Sequence, residues 1–331
     1  MKKHRSNILL GLFLGTGVLL VLFSGPLLRP DVGEVLASAA DIEVRAVPVP
    51  LNTERPAEHA VGKLSYLGGW SLTSAHDRFG GLSGLVVKDG RSVVAVTDQG
   101  DWFTADFNPG AGTIFSGATL RPFEADMQDA SKAAYDAESI IALGDDYLVS
   151  FEFMHRLMVA RPDGTNHVWK NNYHIDYGAL ADNSGLEAIV LTADNKLLAF
   201  AERGKDTLGR QKAWLVDDAG AVDLYFTPPP NFAPTDAARL PNGDILLLTR
   251  FFSLADGNKI KLLRIKAEDI QAGATLRGEE LAHMEPPFTV DNMEGLDIGV
   301  APDGSVVVYL VSDDNFRASQ RTLFMVFKLA E

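Results

Sequence analysis

Apolar residues along this chain gather into short runs that come in pairs, and the pairs recur. Val93-Val94-Ala95-Val96-Thr97, Tyr147-Leu148-Val149-Ser150-Phe151, Leu197-Leu198-Ala199-Phe200-Ala201, Ile245-Leu246-Leu247-Leu248-Thr249 and Val306 to Ser312 are the more apolar members. Each is too short for a helix and is bounded by turn residues, which predicts a strand buried on both faces. Each follows a tight turn, for example Lys88-Asp89-Gly90, Gly144-Asp145-Asp146, Asp194-Asn195 or Asn242-Gly243. Before the turn stands a shorter apolar strand that opens on a polar, mostly acidic residue, and a charge closes the second strand. The passage Asp291-Asn292-Met293-Glu294-Gly295-Leu296, leading to Ser312-Asp313-Asp314-Asn315, shows the pattern most fully.

Aligning Ser83, Glu138, Glu187, Asp236 and Glu294 gives spacings of 55, 49, 49 and 58 residues. A recurrence near 50 residues, with about four strands to the unit, predicts an all-β β-propeller. The first two strands of each unit lie between neighbouring blades and so read as continuous apolar runs. The outer two turn polar, as in Leu157 to Arg161 and His167 to Lys170. A β-sandwich would not repeat an opening acid. The unit 294–331 holds three strands, Leu296–Val300, Val306–Ser312 and Leu323–Leu329, so residues 62–73 are expected to supply the fourth and close the ring. That counts five four-stranded blades, with six open if residues 41–73 give more than one strand. Pro228-Pro229-Pro230 and Pro286-Pro287 fall between units, where a missing N–H is tolerated. The expected organisation is residues 1–30 as a signal peptide or anchor, 31–60 as a linker and edge segment, and 61–331 as the propeller.

Composition narrows the partners. Asp plus Glu outnumber Lys plus Arg 44 to 30, for a net charge of −14, and the excess grows without the basic first thirty residues. Nucleic-acid binding, which rests on basic neutralisation of phosphates, is excluded. The absence of cysteine excludes disulfides, thiol catalysis and cysteine-ligated zinc. Lys2-Lys3-His4-Arg5 before the uncharged run Ile8–Gly25 has the pattern of an export signal, and the run is long enough to span a bilayer. Ala37-Ser38-Ala39 is a cleavage candidate. Cleaved or retained, the body is expected to be periplasmic or otherwise extracytoplasmic, touching membrane only through residues 8–25 if uncleaved, and monomeric.

In a propeller the start of the first strand and the end of the second lie at one end of the ring. Ser83, Glu138, Glu187, Asp236 and Glu294 therefore converge with Asp98, Glu152, Glu202, Arg250 and Asp313 around one channel mouth. So many carboxylates cannot all stay ionised at close range without a cation or arginine partners. Arg203 and Arg250 are the main candidates, with Arg156 a third. Glu138, Glu187, Glu202, Glu294 and Asp313 are the expected ligands of a divalent cation, and oxygen donors of this kind suit calcium better than zinc. The structural alternative has the same acids bonding backbone N–H groups at strand ends and pairing with arginines. His155, beside Arg156 and close after Glu152, is a candidate general base. Gly81-Leu82-Ser83-Gly84 lacks the final glycine of a nucleophile elbow, because Leu85 stands there.

Phe79 to Leu85, Asp136-Ala137-Glu138, Asn183 to Ala188, Asp291 to Gly295 and Ser312 to Phe316 together resemble the phytase-like, "esterase-like activity of phytase" family of exported propellers, over roughly 61–331. The resemblance implies a propeller and an esterase or phosphoesterase activity. A broader likeness is to propeller lactonases, which hold calcium over the channel. The expected function is hydrolysis of a small-molecule ester or phosphate ester. In it a cation polarises the substrate and activates water, Glu187 or His155 takes the proton, and Arg250 or Arg203 holds the anion. The alternative from another class is a non-catalytic propeller that binds a partner through the same mouth.

Overall fold

The computed structural model describes residues 38–123, 135–153, 155–164, 168–169, 175–176 and 185–330. The basic cluster and the apolar run 8–25 lie outside the described residues. Among those described, no helix is long and apolar enough to cross a membrane.

The chain begins with β1 (Ala40–Asp41), β2 (Arg45–Pro48), β3 (Ala60–Val61) and β4 (Leu64–Thr73). Blade I follows as β5 (Leu82–Lys88), β6 (Ser92–Thr97), β7 (Asp101–Phe107) and β8 (Phe115–Pro122), and blade II as β9 (Ala137–Leu143), β10 (Asp146–Phe151), β11 (Arg156–Ala160) and β12 (Val168–Trp169). Blade III comprises β13 (Leu186–Leu191), β14 (Leu197–Ala201), β15 (Gln211–Asp217) and β16 (Gly220–Phe226). Blade IV begins with β17 (Ala233–Arg239), β18 (Ile245–Ser253) and β19 (Gly257–Ile265). The short β20 (Thr275–Leu276) then lies parallel on the outside of blade III, and β21 (Glu279–Met284) completes blade IV. Blade V is β22 (Asn292–Val300), β23 (Val306–Asp313), β24 (Thr322–Leu329) and, from the other end of the chain, β4.

The five sheets form a five-bladed β-propeller. Its innermost strands β5, β9, β13, β17 and β22 neighbour one another in cyclic order. Ring closure is as the sequence predicts: β24 pairs antiparallel with β4 from Thr322↔Leu72 to Leu329↔Leu64. β2 extends this blade and β1 extends blade I, so the segment before β4 runs along two blade edges.

The buried apolar residues explain the continuous runs. They fall into five clusters, each lying between two adjacent blades. A first or second strand offers one face to the blade before it and the other to the blade after it, so neither face is polar. Between blades V and I the packing is aromatic. Phe107 meets Trp70 at 5.6 Å and Phe324 at 5.0 Å between ring centroids, and Phe115 meets Phe324 at 5.3 Å.

Candidate functional site

The mouth is built by an irregularity that recurs in all five blades. Pairing between first and second strand slips by one residue near the start of the first strand. The extra residue is Ser83 in β5, Glu187 in β13, Thr235 in β17 and Glu294 in β22, while in β9 Glu138 and Ser139 together face Ser150. Such a bulge bends the strand and re-aims the side chain it carries. Here it turns three glutamates toward the mouth.

The closing charges of the second strands occupy one common station. The N–H groups of Asp98, Glu152 and Glu202 donate to the carbonyls of Gly81 (2.9 Å), Asp136 (2.8 Å) and Gly185 (3.4 Å). Arg250 and Asp313 stand opposite Ala233 and Asn292 in the same way. Bulge and strand end therefore meet, and the carboxylates collect in two distinguishable arcs.

On blades II and III, Asp136, Glu138 and Glu152 have ligand oxygens within 4.8 Å of one another, as do Glu152, Glu187 and Glu202. Glu152 belongs to both groups. Arg203 pairs with Glu202 at 2.7 Å but is itself 59% exposed. On blades IV and V the arrangement differs. Arg250 Nη2 lies 3.3 Å from Glu294 Oε1, and Asn292 Nδ2 donates to Glu294 Oε1 at 2.7 Å and to Asp313 Oδ2 at 3.1 Å. Asp314 braces this side: its Oδ1 accepts from the Gly81 N–H at 3.1 Å and its Oδ2 from the Thr322 hydroxyl at 3.0 Å.

Electrostatics follow from this crowding. Burial pushes the Glu138 carboxyl well above its ordinary range, and Glu187, Asp136 and Glu152 push it further. Glu187, 7% exposed, is raised by burial and then by Glu202 and Glu152, while Arg250 pulls it back. Glu294 rises to about 7 through burial, opposed by Arg250 and Asn292. Asp313 is raised by burial and then by Glu294.

Of the five ligands expected from the sequence, Glu138, Glu187 and Glu202 lie in the carboxylate arc, and Glu294 and Asp313 lie on the arginine side. Asp136 and Glu152 complete the arc. Glu152 was legible as one of the recurring strand-end acids. Asp136 was legible as the residue two before Glu138, on the same side of an extended chain. His155 is half-buried just before β11 and belongs to neither carboxylate group. Arg156 lies over the Phe151 ring at 4.6 Å. Arg250, 22% exposed, faces the mouth, and its Nε–H has no hydrogen-bond partner among the described residues.

Asp236 departs from the expected ring. Thr235 takes the bulge in blade IV, so Asp236 falls one residue deeper and is 1% exposed. It accepts from Ser139 Oγ at 2.7 Å, the Ala237 N–H at 2.9 Å and the Leu296 N–H at 2.7 Å. Burial raises its carboxyl well above the usual range, and the three donors act in the opposite direction.

No curated protein matches the sequence. Among solved structures, the calcium structure of the Trichoderma reesei carbohydrate-active enzyme of family AA12 is 12% identical, with a TM-score of 0.42 over 89% of this chain and 98% of that one. The PQQ domain of pyranose dehydrogenase from Coprinopsis cinerea is 10% identical, with a TM-score of 0.42 over 90% and 98%. A protein of unknown function from Dyadobacter fermentans is 12% identical, with a TM-score of 0.42 over 86% and 91%. The family described as phytase-like, esterase-like activity of phytase, matches residues 77–316, a span that runs from the crossover before blade I to the loop after β23. With the five-bladed ring and its acidic mouth, this places the chain in the phytase-like family.

Proposed function

We propose that the protein hydrolyses a small-molecule ester or phosphate ester at the mouth of the ring, with a divalent cation held by Asp136, Glu138 and Glu152. The observation that carries this reading is the pair of carboxylate groups sharing Glu152, set in the same mouth as the partly exposed Arg250. The donors are all hard oxygens, which fits calcium. With the cation in the Asp136 group, Glu187, whose oxygen lies within 4.8 Å of Glu152, stands beside it as a reacting group. A cation bound there supplies Lewis-acid polarisation of the substrate oxygen and a more acidic water.

Glu187 is left as the proton acceptor. Burial and its neighbours raise its pKa, which makes its carboxylate a stronger proton acceptor. Arg250, held in place by Glu294 through Nη2, turns its exposed guanidinium edge to the anionic oxygen. His155 is the alternative acceptor. The export pattern at the N-terminus assigns the work to the outside of the cytoplasmic membrane, and cell fractionation finding the chain in the cytosol would remove that part of the reading.

The test is hydrolysis of chromogenic carboxylic ester, lactone and phosphate ester substrates, with and without calcium, beside calorimetric titration. Glu138→Gln is expected to lose calcium binding and activity together. Glu187→Gln is expected to bind calcium and lose activity. Arg250→Ala is expected to lower kcat about 100-fold, as for loss of one oxyanion donor. A parent that binds calcium yet cleaves none of these substrates would favour the binding propeller.

A further inference from the structure

In blades I, II, IV and V the residue after the bulge residue leans toward another blade and meets the residue two beyond the bulge there. A Cβ added at Gly84 would stand 3.0 Å from the Ile140 nitrogen, and one added at Gly295 would stand 3.0 Å from Leu85 Cβ. In two blades this station carries a side chain that bonds instead of merely clearing its neighbour. Ser139 Oγ accepts from the Ile189 N–H at 3.3 Å, and Asp236 Oδ2 accepts from the Leu296 N–H at 2.7 Å. Asp236 Oδ1 then accepts the Ser139 hydroxyl at 2.7 Å, joining blade IV to blade II, which are not neighbours in the ring. Ser150 adds to the same layer: its Oγ accepts from the Ser139 N–H at 3.0 Å and donates to the Leu186 carbonyl at 2.8 Å.

These contacts touch every glutamate-bearing bulge. Ser139 adjoins Glu138, Leu186 and Ile189 bracket Glu187, and Leu296 lies two residues beyond Glu294. We infer that Ser139 and Asp236 are positioning residues, a buried clasp beneath the mouth that sets the three bulge glutamates relative to one another. Asp236 meets three donors with two acceptor oxygens, Oδ1 and Oδ2, whereas the Nδ2 of an amide would set a donor against one of them. Ala188, at the same station in blade III, has no polar atom for the task, and there Ser139 and Ser150 hold the strand instead.

The cation arm of the test rests on the proposed function; the exchange arm does not. Ser139→Ala and Asp236→Asn are compared with the parent by hydrogen exchange and by calcium titration. Ser139→Ala is expected to speed exchange of the Ile189 amide at least tenfold, and Asp236→Asn that of the Leu296 amide. Outer strands β15 and β24 should exchange as in the parent, and both variants should bind calcium at least tenfold more weakly. Should Asp236→Asn fail to fold, Ser139→Ala decides alone. Uniformly faster exchange, tracking a lower melting temperature with unchanged calcium affinity, would reduce the pair to ordinary core packing and overturn the inference. A parent with no calcium response would remove the cation reading, and the exchange pattern would then decide the clasp by itself.

Discussion

Glu187 shows how one residue can be costly to the fold and useful to the site. Its carboxyl is buried beside Glu152 and Glu202, and Arg250, which offsets that crowding, is shared with Glu294. Replacing it with glutamine removes repulsion while keeping size, so in chelator at pH 8 Glu187→Gln is expected to melt several degrees higher than the parent. For scale, about 1 kcal/mol corresponds to roughly 2–4 °C in domains of this order. A variant melting lower would mean the carboxylate is held by favourable contacts. Asp297, on β22 with Glu294, makes a cleaner pH probe. Its Oδ2 accepts the Val87 N–H at 2.6 Å, across from blade V to blade I, and burial raises its pKa to about 7. The folded state then holds a proton that the unfolded chain has already released above about pH 4. Stability should therefore be full below pH 4 and fall as the pH rises toward 7, by up to about 4 kcal/mol at this site. Asp297→Asn should flatten that slope in melts taken between pH 4 and 8. An unchanged slope would show that the carboxylate ionises without penalty in the fold.

At the scale of elements, what could be read from the sequence was whatever obeys a period. The paired apolar runs predicted both inner strands of every blade, because burial on both faces leaves an uninterrupted signature. Glu138, Glu187 and Glu294 were visible as a recurring opening acid. The bulge was not visible, since one extra residue in a strand leaves no mark on composition, and the error it caused is specific. Asp236 falls at the position of the recurring acid, yet Thr235 holds the bulge and Asp236 sits one layer below. The split of the mouth into a carboxylate arc and an arginine side was equally hidden, because it depends on which oxygen Asn292 bridges. The glycines of this layer were legible only as residues. Gly295 is required because an added Cβ would stand 2.5 Å from Val311 Cγ1 and 3.0 Å from Leu85 Cβ, between two inner strands. Gly295→Ala should cost about 1–3 kcal/mol by overpacking. Gly112→Ala, where an added Cβ meets nothing within 4 Å, should melt with the parent. Equal melting of the two would mean the inner strands can move apart freely.

At the scale of the molecule, the ring depends on a strand contributed from the far end of the sequence. β4 covers β24 along its whole length, and it is β4 that brings Trp70 into the aromatic packing with Phe107 of blade I. A blade without β4 would present β24 as an open edge rich in apolar residues, Leu323-Phe324-Met325-Val326-Phe327, and such an edge templates pairing with other chains. Two truncations separate this from a general intolerance of shortening. A chain starting at Ser38 keeps every described strand and should remain soluble, with the cooperative melt of the full protein. A chain starting at Ser74 loses β1 to β4 and should aggregate at micromolar concentration and lose its sharp transition. Adding β4 back through a flexible linker after Ala330 separates loss of the strand from loss of the N-terminal position. If closure is what matters, the permuted chain should recover solubility and most of its melting temperature, because blade V needs the strand and not its place in the chain. Recovery failing while the Ser38 chain folds would shift the weight to residues 38–63, whose β1 and β2 edges tie blades I and V from outside.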